Sequence, residues 1–132
     1  MRTDQRNRAQ RLAAILERDG DTCVWCGRRF DGLVGATTEH LVPRLKGGPS
    51  WLDNEVAACR RCNGQRGHAT LAARTRPPSR RGWLVDRARL VRTLERLQVA
   101  ILERGGQRRA RPWLASQLRR LRPRGVGRGR MG

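Results

Sequence analysis

Two C-x-x-C pairs, Cys23/Cys26 and Cys59/Cys62, constrain this chain more than any other feature of its 132 residues. Each pair offers two soft ligands from one turn, and two pairs complete the tetrahedron of a structural zinc ion. Redox cysteines and ordinary core thiols are the competing readings. No apolar h-region follows the early charges at Met1-Arg2-Thr3-Asp4, which points to a cytoplasmic, reducing compartment where disulfides are rare. Metal binding is therefore the expectation. The pairs lie farther apart than in a compact zinc ribbon, so a folded segment must sit between them. Gly27, directly after the second cysteine, allows the tight turn that two ligands on one ion require.

A metal staple suits the rest of the chain. With four Trp, one Phe and no Tyr, the apolar material is mostly Leu, Val and Ala, and the core is expected to be small. The formal net charge of +19 predicts attraction to a polyanion. Lys46 is the only lysine, so part of the arginine count reflects the codon bias of a GC-rich genome. An anionic membrane surface is the rival partner, but the chain has no long apolar span and no lipidation motif. Nucleic acid is preferred.

Periodicity predicts the order of elements. Residues 3–19 read as a helix with Leu12, Ile15 and Leu16 on one face, Thr3 or Asp4 as N-cap, and Asp19-Gly20-Asp21 as its stop. Residues 36–42 form a short strand ended by Pro43, and 54–58 a second one. A helix over about 60–74 starts within the second cysteine pair. Pro77 and Pro78 mark a linker. A helix over 84–104 follows, with Leu90, Leu94, Leu97 and Ile101 as its stripe, Val91 beside it, and Gly105-Gly106 as its end. That stripe packs on the domain or pairs with a second copy. A further helical segment runs from Trp113 to Leu121, and the Arg/Gly tail, 122–132, is expected to be disordered. The four Trp, Trp25, Trp51, Trp83 and Trp113, read as core or cap residues rather than base-stacking platforms.

Between and within the cysteine pairs lies an ordered set of chemically capable residues: Glu39-His40-Leu41-Val42-Pro43, Gly47-Gly48, Asp53-Asn54, then Cys62-Asn63 and Arg66-Gly67. A lone histidine near an acid is more often structural than catalytic, but here the whole string counts. Its order and spacing over residues 22–68 resemble the HNH endonuclease family in its cysteine-bearing branch. The resemblance implies a ββα-metal finger, two short strands and a helix around a catalytic ion. It implies that His40 is the general base taking a proton from water, and that Asn54 orients that histidine and the loop. Glu39 and Asn63 would ligate one catalytic divalent ion, Mg²⁺ or Mn²⁺ by ligand hardness, with Ni²⁺ or Zn²⁺ able to enter the same site. Cys23, Cys26, Cys59 and Cys62 would hold a separate structural Zn²⁺. Glu39 stands where relatives usually carry Asp, and Arg66 where they often carry Lys. Arg60, Arg61 and Arg66, near the helix start, are expected to contact phosphates. His68 has no fixed family role: an extra metal or phosphate contact is one reading, and a solvent-facing helix residue is the preferred one.

The chemistry is sound without the resemblance. Phosphodiester hydrolysis needs a deprotonated nucleophile and charge stabilisation at phosphorus, and histidine titrates where it can act as base near neutrality. One difficulty is geometric: adjacent strand residues point to opposite faces. Glu39 and His40 can serve one site only if the strand ends or bulges there.

The expected fold is α+β, a small zinc-stapled ββα-metal finger flanked by an N-terminal helix and C-terminal helices. Its expected divisions are a basic helix at 1–20, the finger at 21–75, a helical extension at 76–121 and the tail. The expected function is metal-dependent endonucleolytic hydrolysis of DNA. The alternative is a non-catalytic zinc module that binds nucleic acid; a membrane-surface or protein-interaction role for the C-terminal helices ranks third. A homodimer through the 84–104 helix is an open possibility.

Overall fold

The computed structural model describes residues 6–31, 35–66, 71–75 and 84–122. The predicted linker prolines, Trp83, His68 and the tail beyond Arg122 lie outside them. The first helix, α1 (Arg8–Asp19), begins later than its periodicity suggested. Asn7 is the reason: its side chain accepts from the backbone N–H of Gln10 at 2.8 Å, and the Gln10 side chain accepts from the Asn7 N–H at 2.9 Å. This reciprocal capping box replaces the expected cap at Thr3 or Asp4. The helix stops where predicted, at Gly20 with φ +94°.

Two strands form the only sheet among the described residues, β1 (Ala36–His40) and β2 (Glu55–Cys59), antiparallel and in register from Ala36↔Cys59 to His40↔Glu55. β1 stops two residues short of the prediction. The N–H of Leu41 goes to the Asn54 carbonyl and that of Val42 to the Asn54 side chain, both at 2.9 Å, so the chain leaves the ladder and is clamped instead. The connection carries two 3₁₀ turns, Arg44–Lys46 and Leu52–Asn54. Gly48 is obligatory in it, because a Cβ there would lie 1.8 Å from the Val42 carbonyl oxygen.

β2 runs directly into α2 (Arg60–Arg66), and α3 (Leu71–Arg74) follows. The single helix expected over 60–74 is thus described as two pieces, with 67–70 outside the described residues. α4 (Arg87–Arg104) starts after 84 because Asp86 caps it, its carboxylate accepting from the Arg89 N–H at 3.0 Å. α5 (Ala110–Leu121) starts ahead of Trp113.

Packing follows from these elements. α1 buries Ile15 of its expected apolar face, with Leu12 and Leu16 partly buried, and is tied to the sheet by arginines as well. Arg8 donates to Thr38 Oγ1 at 3.1 Å, and Arg18 donates to the carbonyls of Leu52 and Glu55 at 2.9 and 2.8 Å. The stripe Leu90, Leu94, Leu97 and Ile101 is buried in one cluster with Leu114, Leu118 and Leu121 of α5 and with Trp25, Leu41 and Val56 of the cysteine-bearing half. It packs on its own chain, as the first of its two readings required. Arg104 ties α4 to the β1–β2 connection, stacking 4.3 Å over Trp51 and lying 3.8 Å from Asp53. This is an α+β arrangement with a small ββα zinc-finger-like unit at its centre.

Candidate metal centre and active site

The four cysteines converge, with their sulfur atoms all within 4.8 Å of one another. A tetrahedron with Zn–S bonds of about 2.3 Å has edges of about 3.8 Å, so this set can close on a metal ion such as zinc. Local geometry produces the convergence. Gly27 (φ +76°) returns its N–H to the Cys23 carbonyl at 2.9 Å, closing the first knuckle. The Val24 N–H reaches the Ala57 carbonyl at 3.1 Å and fixes that knuckle against β2. Cys59 ends β2, and Cys62 sits in the first turn of α2. All four are free thiols. Burial pushes the Cys23 thiol above its ordinary range. Burial also acts to raise Cys59, but hydrogen bonds from the Cys62 backbone and from the neighbouring thiols prevail and hold it lower. Cys59 is thus the readier thiolate of the two.

The residues of the second expected site surround β1. Glu39 is buried, and its Oε1 accepts from the indole N–H of Trp25 at 2.7 Å. Asn63, the residue after Cys62, spends its side-chain N–H₂ on β1, donating to Thr37 Oγ1 at 2.7 Å and to the Thr38 carbonyl at 3.1 Å. Its Oδ1 is therefore turned away from those two acceptors. Thr37 and Glu39 share one face of the strand by alternation, so Asn63 docks on the face that carries Glu39. A carboxylate and an amide oxygen are the hard donors that Mg²⁺ or Mn²⁺ takes. The donor set fits such an ion.

His40 faces the other way. Its Nε2 lies 2.9 Å from Ser50 Oγ and 3.5 Å from Glu55 Oε2, on the side of the sheet covered by α1. The register continues unbroken to His40↔Glu55, so β1 ends at His40 without the bulge that was one of the two expectations. Glu39 and His40 accordingly point to opposite faces at the strand's last step. Asn54 is fully buried and bonds to the loop, donating to the carbonyls of Val42 at 3.1 Å and Pro49 at 2.9 Å. It holds the segment that follows His40 rather than the imidazole itself. Arg60 and Arg61 are exposed at the start of α2; Arg66 closes the same helix.

Comparison with known proteins now bears on this arrangement. Residues 23–78 match the family model described as HNH endonuclease. That segment is similar to the HNH endonuclease family. It contains both cysteine pairs, Glu39, His40, Asn54 and Asn63, and it leaves α1, α4 and α5 outside the match. No curated protein and no solved structure matches the chain. The match suggests a nuclease-type function and a nucleic-acid substrate. Among the described residues, no helix is long and apolar enough to cross a membrane.

The sequence reading passed over four residues that the fold brings to the candidate site. Ser50 and Glu55 face His40, Arg11 binds Glu55, and Trp25 binds Glu39. Glu55 alone left a signal: a carboxylate directly before an apolar strand run, on a strand that proves wholly buried. Ser50 and Arg11 carry none, since each reaches the site only through tertiary packing.

Proposed function

We propose that this protein is a metal-dependent HNH endonuclease that hydrolyses phosphodiester bonds in DNA. The observation that carries the reading is the docking of Asn63 on the Glu39 face of β1, one residue beyond a cysteine of the zinc-type centre, within a segment similar to the HNH endonuclease family. In this reading Cys23, Cys26, Cys59 and Cys62 hold a structural zinc ion. Glu39 and Asn63 hold one catalytic divalent ion, Mg²⁺ or Mn²⁺ by donor hardness. When bound, that ion supplies charge stabilisation at the phosphate and the leaving oxygen. His40 accepts the proton of the attacking water on its imidazole. β1 ends at His40, so a phosphate laid across the strand's end meets side chains from both faces. Asn54 keeps the following loop in place, and Arg60, Arg61 and Arg66 grip the backbone on either side. The expected compartment is the cytoplasm.

One observation favours a second reading. Glu39 and His40 both engage internal partners, as purely structural residues do, and a non-catalytic zinc module that binds nucleic acid would show the same bonds. Cleavage of supercoiled plasmid separates the two. The parent protein is expected to nick DNA with Mg²⁺ or Mn²⁺ and to stop in EDTA. His40→Ala is expected to lose about 10²–10⁴ in rate while keeping its zinc and its DNA affinity. Equal cutting by that variant refutes the base assignment. No cutting of plasmid, branched DNA or RNA with any of Mg²⁺, Mn²⁺, Ni²⁺ and Zn²⁺ favours the binding module.

A further inference from the structure

Trp25 stands inside the first cysteine knuckle, two residues after Cys23 and one before Cys26, and is completely buried. Its backbone N–H points at Cys23 Sγ at 3.4 Å. The Arg74 guanidinium lies 4.3 Å over its ring and reaches back to the Cys62 carbonyl at 3.4 Å. The indole plane is thus set by both cysteine pairs together. Its N–H ends on Glu39 Oε1 at 2.7 Å, a short bond to a carboxylate that is itself 4 % exposed.

We propose that Trp25 is the positioning residue for Glu39, so that the cysteine centre and the divalent-ion site are built as one unit. This rests on the reading that Glu39 binds the catalytic ion. The chemistry suits the task. A buried carboxylate without a donor is strongly disfavoured, and glutamate has one more rotatable bond to restrain than aspartate. Indole offers one N–H and no acceptor, so it pins one carboxylate oxygen and cannot itself take the metal. With Oε1 held, the direction of Oε2 is set before any ion arrives. Outer partners of this kind orient a ligand and typically contribute tenfold or more to metal affinity. The knuckle is itself tied to β2 through the Val24 N–H, so shape at the cysteine centre is passed to Glu39 by a chain of direct contacts.

The test uses the full chain with its zinc in place and reads Mn²⁺ binding by electron paramagnetic resonance. Trp25→Phe keeps an aromatic face beneath the stacking arginine and removes the N–H together with the pyrrole ring. It is expected to weaken Mn²⁺ binding roughly tenfold or more at unchanged zinc content. In a Glu39→Ala background the same change is expected to have no further effect, because the tryptophan acts only through the carboxylate. Normal Mn²⁺ affinity in Trp25→Phe, with weakened affinity in Glu39→Ala, overturns this proposal and leaves the nuclease reading standing. Normal affinity in Glu39→Ala overturns the ligand assignment beneath it. Should Trp25→Phe lose its zinc or its fold, the unmutated protein decides. The Trp25 indole N–H resonance is expected to shift as Mg²⁺ is added, and an unmoved resonance at saturating Mg²⁺ overturns the proposal.

Discussion

Glu55 is a carboxylate taken wholly out of water. Its side chain is wholly buried, with Arg11 Nε at 2.8 Å from one oxygen and His40 Nε2 at 3.5 Å from the other. Taking a carboxylate out of water is costly, and a partner that neutralises it compensates only while both are present. Arg11→Met is therefore expected to destabilise the protein by about 3–5 kcal/mol, since it strands the charge beside an imidazole. Arg11→Met combined with Glu55→Leu is expected to recover most of that loss. Urea denaturation of the parent, the single variant and the pair measures it. A double variant no more stable than Arg11→Met would show that Glu55 contributes through contacts other than its charge. The pair also backs His40, so a change in either partner is expected to disturb the imidazole that the nuclease reading uses.

Among the elements, the two knuckles carry the greatest energetic weight. The ββα unit is small: five residues in each strand and seven in α2. A structural zinc site contributes about 10–16 kcal/mol of apparent binding energy at neutral pH, against a typical domain stability of about 5–15 kcal/mol. Stripping the ion with a strong chelator is thus expected to unfold the cysteine-bearing half. The readouts are circular dichroism and loss of tertiary Trp signal. In the zinc reading thiolates are the ligands, so protons compete with the ion and the folded form is expected to fail as pH falls. Retention of the native spectrum without zinc would mean that α1 and the C-terminal helices hold the sheet unaided. Both do grip it: α1 through Arg8, Arg11 and Arg18, and α4 through Arg104 stacked on Trp51. These ties attach the flanking helices to the same loop and strands that present Glu39 and His40.

At the scale of the whole molecule, charge governs encounter with substrate. The chain carries 30 basic against 11 acidic residues. Several arginines are committed to internal bonds, among them Arg11, Arg18 and Arg89. Arg60 and Arg61 remain exposed at the start of α2, where the nuclease reading places the phosphate backbone. Affinity for duplex DNA is expected to fall steeply with salt. With about 6–10 phosphates neutralised, it drops about 10³–10⁵-fold between 50 and 200 mM. Fluorescence anisotropy across that range measures the slope, and Arg60→Ala/Arg61→Ala is expected to flatten it by nearly two units. A slope unchanged in that variant would move the DNA-binding surface elsewhere on the molecule.

Local chemistry determined much of this protein. The doubled C-x-x-C required a four-sulfur centre because ligand number and turn geometry are set within a few residues, and the cysteines do converge. The order strand, strand, helix and the apolar stripe of α4 followed from periodicity, and the likeness to the HNH endonuclease family from the spacing of the string around Glu39 and Asn63. Helix starts were less legible, because a cap such as Asn7 or Asp86 acts through one side-chain bond that several nearby polar residues could equally have made. Tertiary structure alone decided which way neighbouring side chains turn and what they meet. Alternation sends Glu39 and His40 to opposite faces; the approach of the knuckle gives Glu39 its partner Trp25, while strand pairing and the β1–β2 connection give His40 Glu55 and Ser50, with Arg11 of α1 set behind Glu55. Trp25 and Glu39 lie 14 residues apart along the chain and Arg11 and Glu55 lie 44 apart, and their meeting depends on packing that no short window of sequence contains.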